Sequence, residues 1–324
     1  MSESDMTPQQ AFDKFMYAYA PRPPNNGIAI AVSGGPDSMA LLKCAHVWAN
    51  QNNIQLHALT VDHGLRKEAG EEAAAVGEYC EILHVPHQIL SPDQPIGSTR
   101  VQENARQIRY NLIDRYMQAN GINRLLLGHH LDDQFETFLM RLSRGSGLKG
   151  LNGIRTVSTR GSITLLRPFL TVAKSTLVSY CEQHDIPYVR DPSNGDTRYD
   201  RAQLRAITPQ LTECGLSAQN VESARQKLED AESYIQSVLA PLMDRYFSEQ
   251  TFSIPKTCFL ELHPYIQGRL ISDVLVRIGG GYPPRHKALT DLITRMKQPD
   301  FTGATLHRCQ IRQKDDSFMI TAEV

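Results

Sequence analysis

A doubly wound α/β domain, followed by a second, mainly helical domain ending in a β-hairpin, is the architecture predicted for these 324 residues. Three observations predict it. From about residue 27 to 191, short apolar runs alternate with amphipathic stretches, the rhythm of βαβ units and a parallel sheet with helices on both faces. After about residue 208 the pattern changes to one long amphipathic helix, with apolar residues at Leu216, Val221, Ala224, Leu228, Ala231, Ile235, Leu239 and Leu242. The length also exceeds what one hydrophobic core usually fills, so two domains are expected, at 1–212 and 213–324.

The elements come in order. IAIAVS (28–33) is the first strand, and a helix runs from about Ser38 to Asn50. IQLHALTVD (54–62) is a second strand, EEAAAVGEYCEILH (71–84) a helix and VPHQIL (85–90) a third strand. A long helix covers 103–121, RLLLGH (124–129) is a fourth strand, and a helix passes through DDQFETFLMRLSR. A further strand lies near SITLLRPF (162–169), then a helix from Lys174 to His184. In the second domain, Ser217 suits the N-cap of the long helix. Two more helices fit 259–278 and 283–296, the latter opening on proline as helix starts tolerate. The chain ends in two alternating runs, 305–313 and 317–324, about a polar turn.

Composition bounds the function. A formal charge of −1 gives no global attraction to nucleic acid or membrane, so a polyanion must be met by a local patch. The six cysteines are scattered without a CxxC pair, as expected of reduced thiols in a cytoplasmic protein. MSESDMTPQQ lacks the basic and apolar regions of a signal peptide, and no apolar run is long enough to span a bilayer.

The chemistry starts at AVSGGPDSMALL (31–42), where a strand hands over to a helix. No Lys comes after the glycines as a Walker loop requires, and SGGPDS does not match GxGxxG. Gly34 and Gly35 allow a sharp turn that gathers backbone N–H groups, and Ser33 and Ser38 add hydroxyls. The helix start behind Pro36 adds partial positive charge. Asp37 makes sense beside phosphate if it holds Mg²⁺. An ordinary strand-to-helix turn is the competing reading.

Three further stretches bear on the site. TVDHGLR (60–66) lies at a strand end, where open α/β sheets bind ligands; Asp62 and His63 also suit a polar turn. In LLGHHLDDQFETFLMRLSRG (126–145), Asp132, Asp133 and Glu136 share one face of a helix start. They could be simple dipole stabilisers or a pocket for a cation such as an amine. A two-His metal site is disfavoured, because His129 and His130 are adjacent and point apart. In DPSNGDTRYDRAQLR (191–205), a solvated connector competes with a reading in which Arg198, Arg201 and Arg205 reach nucleotide phosphates.

SGGPDS resembles the PP-loop of the N-type ATP pyrophosphatases, which cleave ATP between the α and β phosphates. With VDHGLR, QENARQIRY, GHHLDDQFET, RLSRGSG and DPSNGDTRYDR, the sequence from 28 to 205 is similar to the tRNA(Ile)-lysidine synthetases. Ala202 departs from the Asn usual there, and the chain is shorter than many members, so their last domain is expected to be missing. The resemblance implies a PP-loop, Rossmann-like fold, with 1–212 as the catalytic domain and 213–324 as a tRNA-binding domain, and ATP and Mg²⁺ as cofactors. It implies adenylation of the wobble cytidine of the CAU-anticodon isoleucine tRNA, then attack by free L-lysine. It implies catalytic roles for Asp37, Arg109, His129, Asp133, Glu136 and Arg201, with the nucleotide on Ser33, Gly34, Gly35, Pro36, Asp37 and Ser38. Asp132, Asp133 and Glu136 are expected to face the lysine ammonium, and Arg109, Arg201 and His129 the α-phosphate or the cytosine.

Between Thr137 and Cys181 stand seven basic residues (Arg141, Arg144, Lys149, Arg155, Arg160, Arg167 and Lys174) and no acidic one. That one-signed segment is the footprint expected for an RNA backbone, with Arg141, Arg144, Lys149, Arg198 and Arg205 as substrate contacts. Its glycines, 145, 147, 150 and 153, suggest movement on binding. A tRNA 2-thiolation enzyme, an ammonia-using amide synthetase and a non-catalytic RNA-binding module are the alternatives, and a homodimer is left open.

Overall fold

The computed structural model describes residues 6–20, 26–62, 64, 68–92, 101–189 and 200–323. Two compact units meet in sequence between Leu228 and Glu229.

The first unit opens with α1 (Pro8–Tyr19), β1 (Ile28–Ala31), α2 (Pro36–Gln51), β2 (Leu56–Val61), α3 (Glu68–Ile82) and β3 (His87–Leu90). It continues with α4 (Val101–Ala119), β4 (Arg124–Leu126), α5 (Leu131–Ser143), α6 (Leu148–Leu151), β5 (Val157–Arg160) and β6 (Ile163–Leu166). Then come α7 (Lys174–Gln183), α8 (Asp200–Glu213) and α9 (Ala218–Tyr246), whose sequence crosses the boundary. The sheet order is β3-β2-β1-β4-β6-β5. All neighbours are parallel except β5, which runs antiparallel to β6. The strands are apolar on both sides because helices cover both faces. Ile28 and Ile30 join a core with α1, α2, α3 and α7, while Ala29, Leu125 and Leu165 join one with α4.

From β1 the chain winds outward through β2 to β3, then returns to β4 on the other side of β1. The order therefore reverses between β1 and β4, and the crevice beyond their carboxyl ends is where such sheets take ligands.

The expected strands and helices of this unit are present, with four additions. In α1, Thr7 and Gln10 form a capping box and Pro8 opens the helix. Its buried Phe12 ring lies 6.2 Å from Trp48 and 6.5 Å from Phe169. Strand β5, VSTR, escapes the apolar pattern because it is a half-buried edge. The third and fourth additions are the short α6 and α8, the latter covering residues for which the sequence also allows a solvated connector.

The second unit contains β7 (Phe247–Ser248), β8 (Thr251–Pro255), α10 (Lys256–Glu261), α11 (Pro264–Gly279), α12 (His286–Met296), β9 (Gly303–Leu306), β10 (Cys309–Lys314) and β11 (Ser317–Ala322). Three sequence expectations change. The helix expected over 259–278 is broken where His263 takes an extended conformation ahead of Pro264, giving α10 and α11. Helix α12 starts at His286, so Pro283 and Pro284 precede it and do not open it. The terminal hairpin, β10 with β11, sits inside an antiparallel sheet of order β7-β8-β11-β10-β9. The run read as one strand over 305–313 turns back at His307 (φ 57°) and Arg308 (φ 58°), both left-handed. Among the described residues no helix is long and apolar enough to cross a membrane.

Candidate active site

The nucleotide loop forms where the chain leaves the end of β1. Val32 N–H still donates to Leu59 O (2.9 Å), and the backbone then departs from the sheet. Gly34 takes φ 81°, a left-handed turn that glycine enters without strain. Gly35 is the N-cap of α2, with no side-chain cap, and Pro36 stands in the first turn. The loop is preorganised internally: Ser38 Oγ accepts from Ser33 N–H (3.1 Å), donates to Gly35 O (3.0 Å) and meets Ser33 Oγ at 3.3 Å. Gly128, just past β4, presses on this turn. A Cβ there would lie 3.2 Å from the Asp37 carbonyl, so any larger residue would push this backbone by a few tenths of an ångström. Ser33, Asp37 and Ser38 from the loop, with Arg109 and His129, line one cleft of ≈ 200 Å³.

The start of α5 is the other half of the site. His130, its N-cap, is extended (φ −130°, ψ 179°), so His129 and His130 face opposite sides. His129 lies in the cleft, while His130 is buried with its side chain 3% exposed. Its Nε2 is 3.5 Å from Asp37 Oδ2 and 3.6 Å from Asp133 Oδ2, and its Nδ1 is 3.5 Å from Asp132 Oδ2. Burial disfavours the charged ring, but Asp132, Asp37 and Asp133 outweigh it and push the pKa up to about 9. Three carboxylates thus favour the charged form of the His130 ring. Lys174 Nζ adds a second cation 3.8 Å from Asp37 Oδ2.

Each acidic residue of α5 already has a partner from this chain. Asp133 accepts from His130 N–H (3.1 Å) and Asp132 from Lys174 N–H (2.8 Å). Burial raises the Asp132 pKa, and His130 with the Lys174 amide more than reverses that to a net lowering. Glu136 is 3% exposed and accepts from Arg205 Nε at 2.5 Å and Nη2 at 3.4 Å. Burial disfavours the Arg205 charge, yet Glu136 turns the net shift upward. Arg205, expected as a phosphate ligand, here faces the carboxylate expected to hold lysine.

The basic segment divides in two. Arg141 donates to Gly150 O (2.6 Å) and Gly153 O (2.8 Å), and the buried Arg167 donates to Arg155 O (2.7 Å) and Ser158 Oγ (3.0 Å). Arg144 and Lys149 are exposed. Gln134 clamps Ile154 through both its amide atoms (2.7 and 2.8 Å), and Arg225 donates to Asn152 O (3.2 Å). The glycine-rich stretch expected to move is thus fastened at 150–154. Asp62 caps its own turn, accepting from Gly64 N–H at 2.8 Å. Arg198 and His63 lie outside the described residues, as does the side chain of Arg201 on α8.

The roles of His130 and Lys174 at the carboxylates, and those of Gln134 and Gly128, are not read from the sequence. His130 carries a usable signal, since it directly precedes an acid-rich helix start and sits out of phase with His129. The others depend on contacts between distant segments.

A family profile described as a PP-loop domain matches residues 6–211. A tRNA(Ile)-lysidine synthase of Methylobacterium nodulans is 41% identical over 218 residues, covering 67% of this chain and 64% of that protein. The enzyme so named in Rhodopseudomonas palustris is 38% identical over 272 residues, covering 79% and 76%. That of Zymomonas mobilis is 36% identical over 283 residues, covering 85% and 83%. The matched span thus falls just short of two thirds of the first relative and exceeds it in the other two. The solved U34-tRNA thiolase NcsA of Methanococcus maripaludis has a TM-score of 0.57 at 18% identity, over 68% of this chain and 78% of that one, a likeness of fold. By the profile and these relatives together, the chain belongs to the tRNA(Ile)-lysidine synthase family of PP-loop proteins.

Proposed function

We propose that the protein joins free L-lysine to C2 of the wobble cytidine in the CAU anticodon of an isoleucine tRNA, using ATP, in the cytoplasm. The observation that carries this reading is the convergence of two helix starts on His130. The phosphate loop of α2 and the acidic start of α5 lie within 3.6 Å of one imidazole. A loop that binds departing pyrophosphate and carboxylates that select an amine then serve one reaction.

In the first step the cytidine C2 oxygen attacks the α-phosphorus, the α–β bridging bond breaks and pyrophosphate leaves. The loop N–H groups and the α2 dipole hold the phosphates, and Arg109, Arg201 and His129 orient the α-phosphate and the base. Asp37 suits Mg²⁺, because its Oδ1 is buried without a hydrogen-bond partner among the described residues. Mg²⁺ also needs only one or two carboxylates besides phosphate oxygens. Held by Asp37, Mg²⁺ would supply charge neutralisation for a departing pyrophosphate.

In the second step the lysine ε-amine attacks C2, the C2–O bond breaks and AMP leaves with the oxygen. Glu136 and Asp133 receive the ammonium and take its proton. Glu136 becomes available when nucleotide phosphate draws Arg205 away. Arg144 and Lys149 contact the RNA backbone.

Sulfur transfer is the alternative, and it needs a reactive thiol. Cys44, Cys80, Cys181 and Cys309 are buried, and burial pushes the Cys44 thiol up to about 12. No cysteine lines the cleft among the described residues. The test measures AMP formation and lysine in tRNA with ATP, lysine and tRNA each omitted in turn. Incorporation only with all three supports the reading; turnover with ammonia or a sulfur donor in place of lysine overturns it.

A further inference from the structure

We infer that the loop from Gly280 to Arg285, between α11 and α12, is an RNA contact in which Tyr282 stacks on an unpaired base and flanking cations take the adjoining phosphates. It rests on RNA being a substrate, as in the proposed function.

Tyr282 is 90% exposed, the highest value among the exposed large apolar side chains described. A lone exposed tyrosine is common, so the way it is presented matters more. On its N-terminal side, Gly280 and Gly281 take φ 71° and 73°, a left-handed pair that glycine adopts freely. His307 Nε2 fastens Gly280 O at 2.6 Å. Gly279 packs so closely on His307 that an added Cβ would meet its carbonyl oxygen. On the C-terminal side, Pro283 and Pro284 restrict the backbone before α12 begins. The ring is held outward on a backbone that loses little freedom on binding.

Charge gives the partner's class. Between Asp273 and Asp291 every charged side chain is basic: Arg277, Arg285 and Lys287, with His286 among them. Arg277 lies over the Phe247 ring, 4.0 Å away, and Arg285, His286 and Lys287, exposed like Arg277, carry no such ring contact among the described residues. Arg308, also exposed, stands next to the histidine that fastens the loop. The apolar side of α12 is turned inward, with Leu292 and Met296 buried, so the loop offers one ring among cations and no broad apolar patch. A protein or a bilayer is held by apolar area, whereas one aromatic face flanked by cations suits an unpaired nucleotide.

The full-length protein provides its own reporter. Trp48 is the only tryptophan and is 9% exposed, so Tyr282→Trp adds the sole exposed indole. Titration with the isoleucine tRNA is expected to quench it. Tyr282→Ala is expected to weaken tRNA binding about tenfold, with Tyr282→Phe near wild type. Arg285→Glu combined with Lys287→Glu is expected to lower the salt-dependence slope by about two. An unquenched indole at saturating tRNA, unchanged affinity in Tyr282→Ala, or quenching by phosphatidylglycerol vesicles but not by RNA overturns the inference. Wild-type lysine incorporation is measured in parallel. Its absence sinks the proposed function; intact incorporation with unaffected Tyr282→Ala binding sinks the loop alone.

Discussion

Helices α2 and α5 begin side by side at the sheet crevice and use the same physical asset in opposite ways. Both present the positive end of a helix dipole. At α2 the N-cap is Gly35 with no side-chain cap, so no side chain of the loop covers the helix start. At α5 the chain closes its own helix end: Asp133 accepts from the His130 amide, and Asp132 and Asp133 stand in the first turn. The excess carboxylate charge is met within the fold by His130, the Lys174 amide and Arg205. One helix start favours an anion because no side chain caps it, and its neighbour favours a cation because Asp132, Asp133 and Glu136 crowd its first turns. The pairing lets one site hold both pyrophosphate and an amine.

Removing the carboxylate that faces both halves should break the arrangement most severely. Asp37→Ala is expected to lower pyrophosphate release by about 10²–10³-fold, the scale for losing one preorganised group at developing charge. A near-wild-type rate in a pyrophosphate assay would remove Asp37 from the mechanism.

The imidazolium between the two helix starts gives a stability signature. The His130 pKa is raised, so its contribution is fully present below about pH 6.5 and is lost as pH rises through about 9. That difference corresponds to about 3 kcal/mol. Urea unfolding of metal-free protein should show wild type losing about 3 kcal/mol more than His130→Gln between pH 6.5 and 9, while the buried thiols Cys44, Cys80 and Cys181 lower both curves alike as pH approaches 9. Parallel curves for the two proteins would deny the shared charge.

At the acidic end, Glu136→Gln keeps the shape and removes the charge. It is expected to raise the KM for lysine about 10–100-fold, the worth of a charge-assisted hydrogen bond, with the KM for ATP little changed. Steady-state kinetics with each substrate varied decides it.

The smallest effects separate the inward and outward members of the basic segment. Arg141→Ala loses two bonds to loop carbonyls and should cost about 1–2 kcal/mol of stability. Arg144→Glu, at an exposed position, should leave stability within about 0.5 kcal/mol yet weaken tRNA binding and lower the salt slope by about one. Denaturation and filter binding on both variants test the division.

Much of the fold is legible in the sequence, because period and turn chemistry are local. The alternation of apolar runs locates the parallel strands, and SGGPDS declares a phosphate turn by what it lacks as much as by what it holds. Partners across the fold are not legible. Arg205 and Glu136 are 69 residues apart, and nothing local shows that the arginine closes on the carboxylate. In the sequence His130 is only the residue pointing away from His129, since the carboxylate of Asp37 reaches it only when β1 and β4 lie side by side. Strand β9 is hidden because the left-handed turn at His307 and Arg308 contains no Gly, Asn, Asp or Pro to mark it.

The most direct test of the two-helix account is tRNA-dependent exchange of pyrophosphate into ATP without lysine, compared in wild type, Asp37→Ala and Glu136→Gln. The account predicts that Asp37→Ala abolishes exchange, while Glu136→Gln retains it and incorporates lysine about 10–100-fold less efficiently at sub-saturating lysine. Equal loss of exchange in both variants, or near-wild-type lysine incorporation by Glu136→Gln, would contradict it.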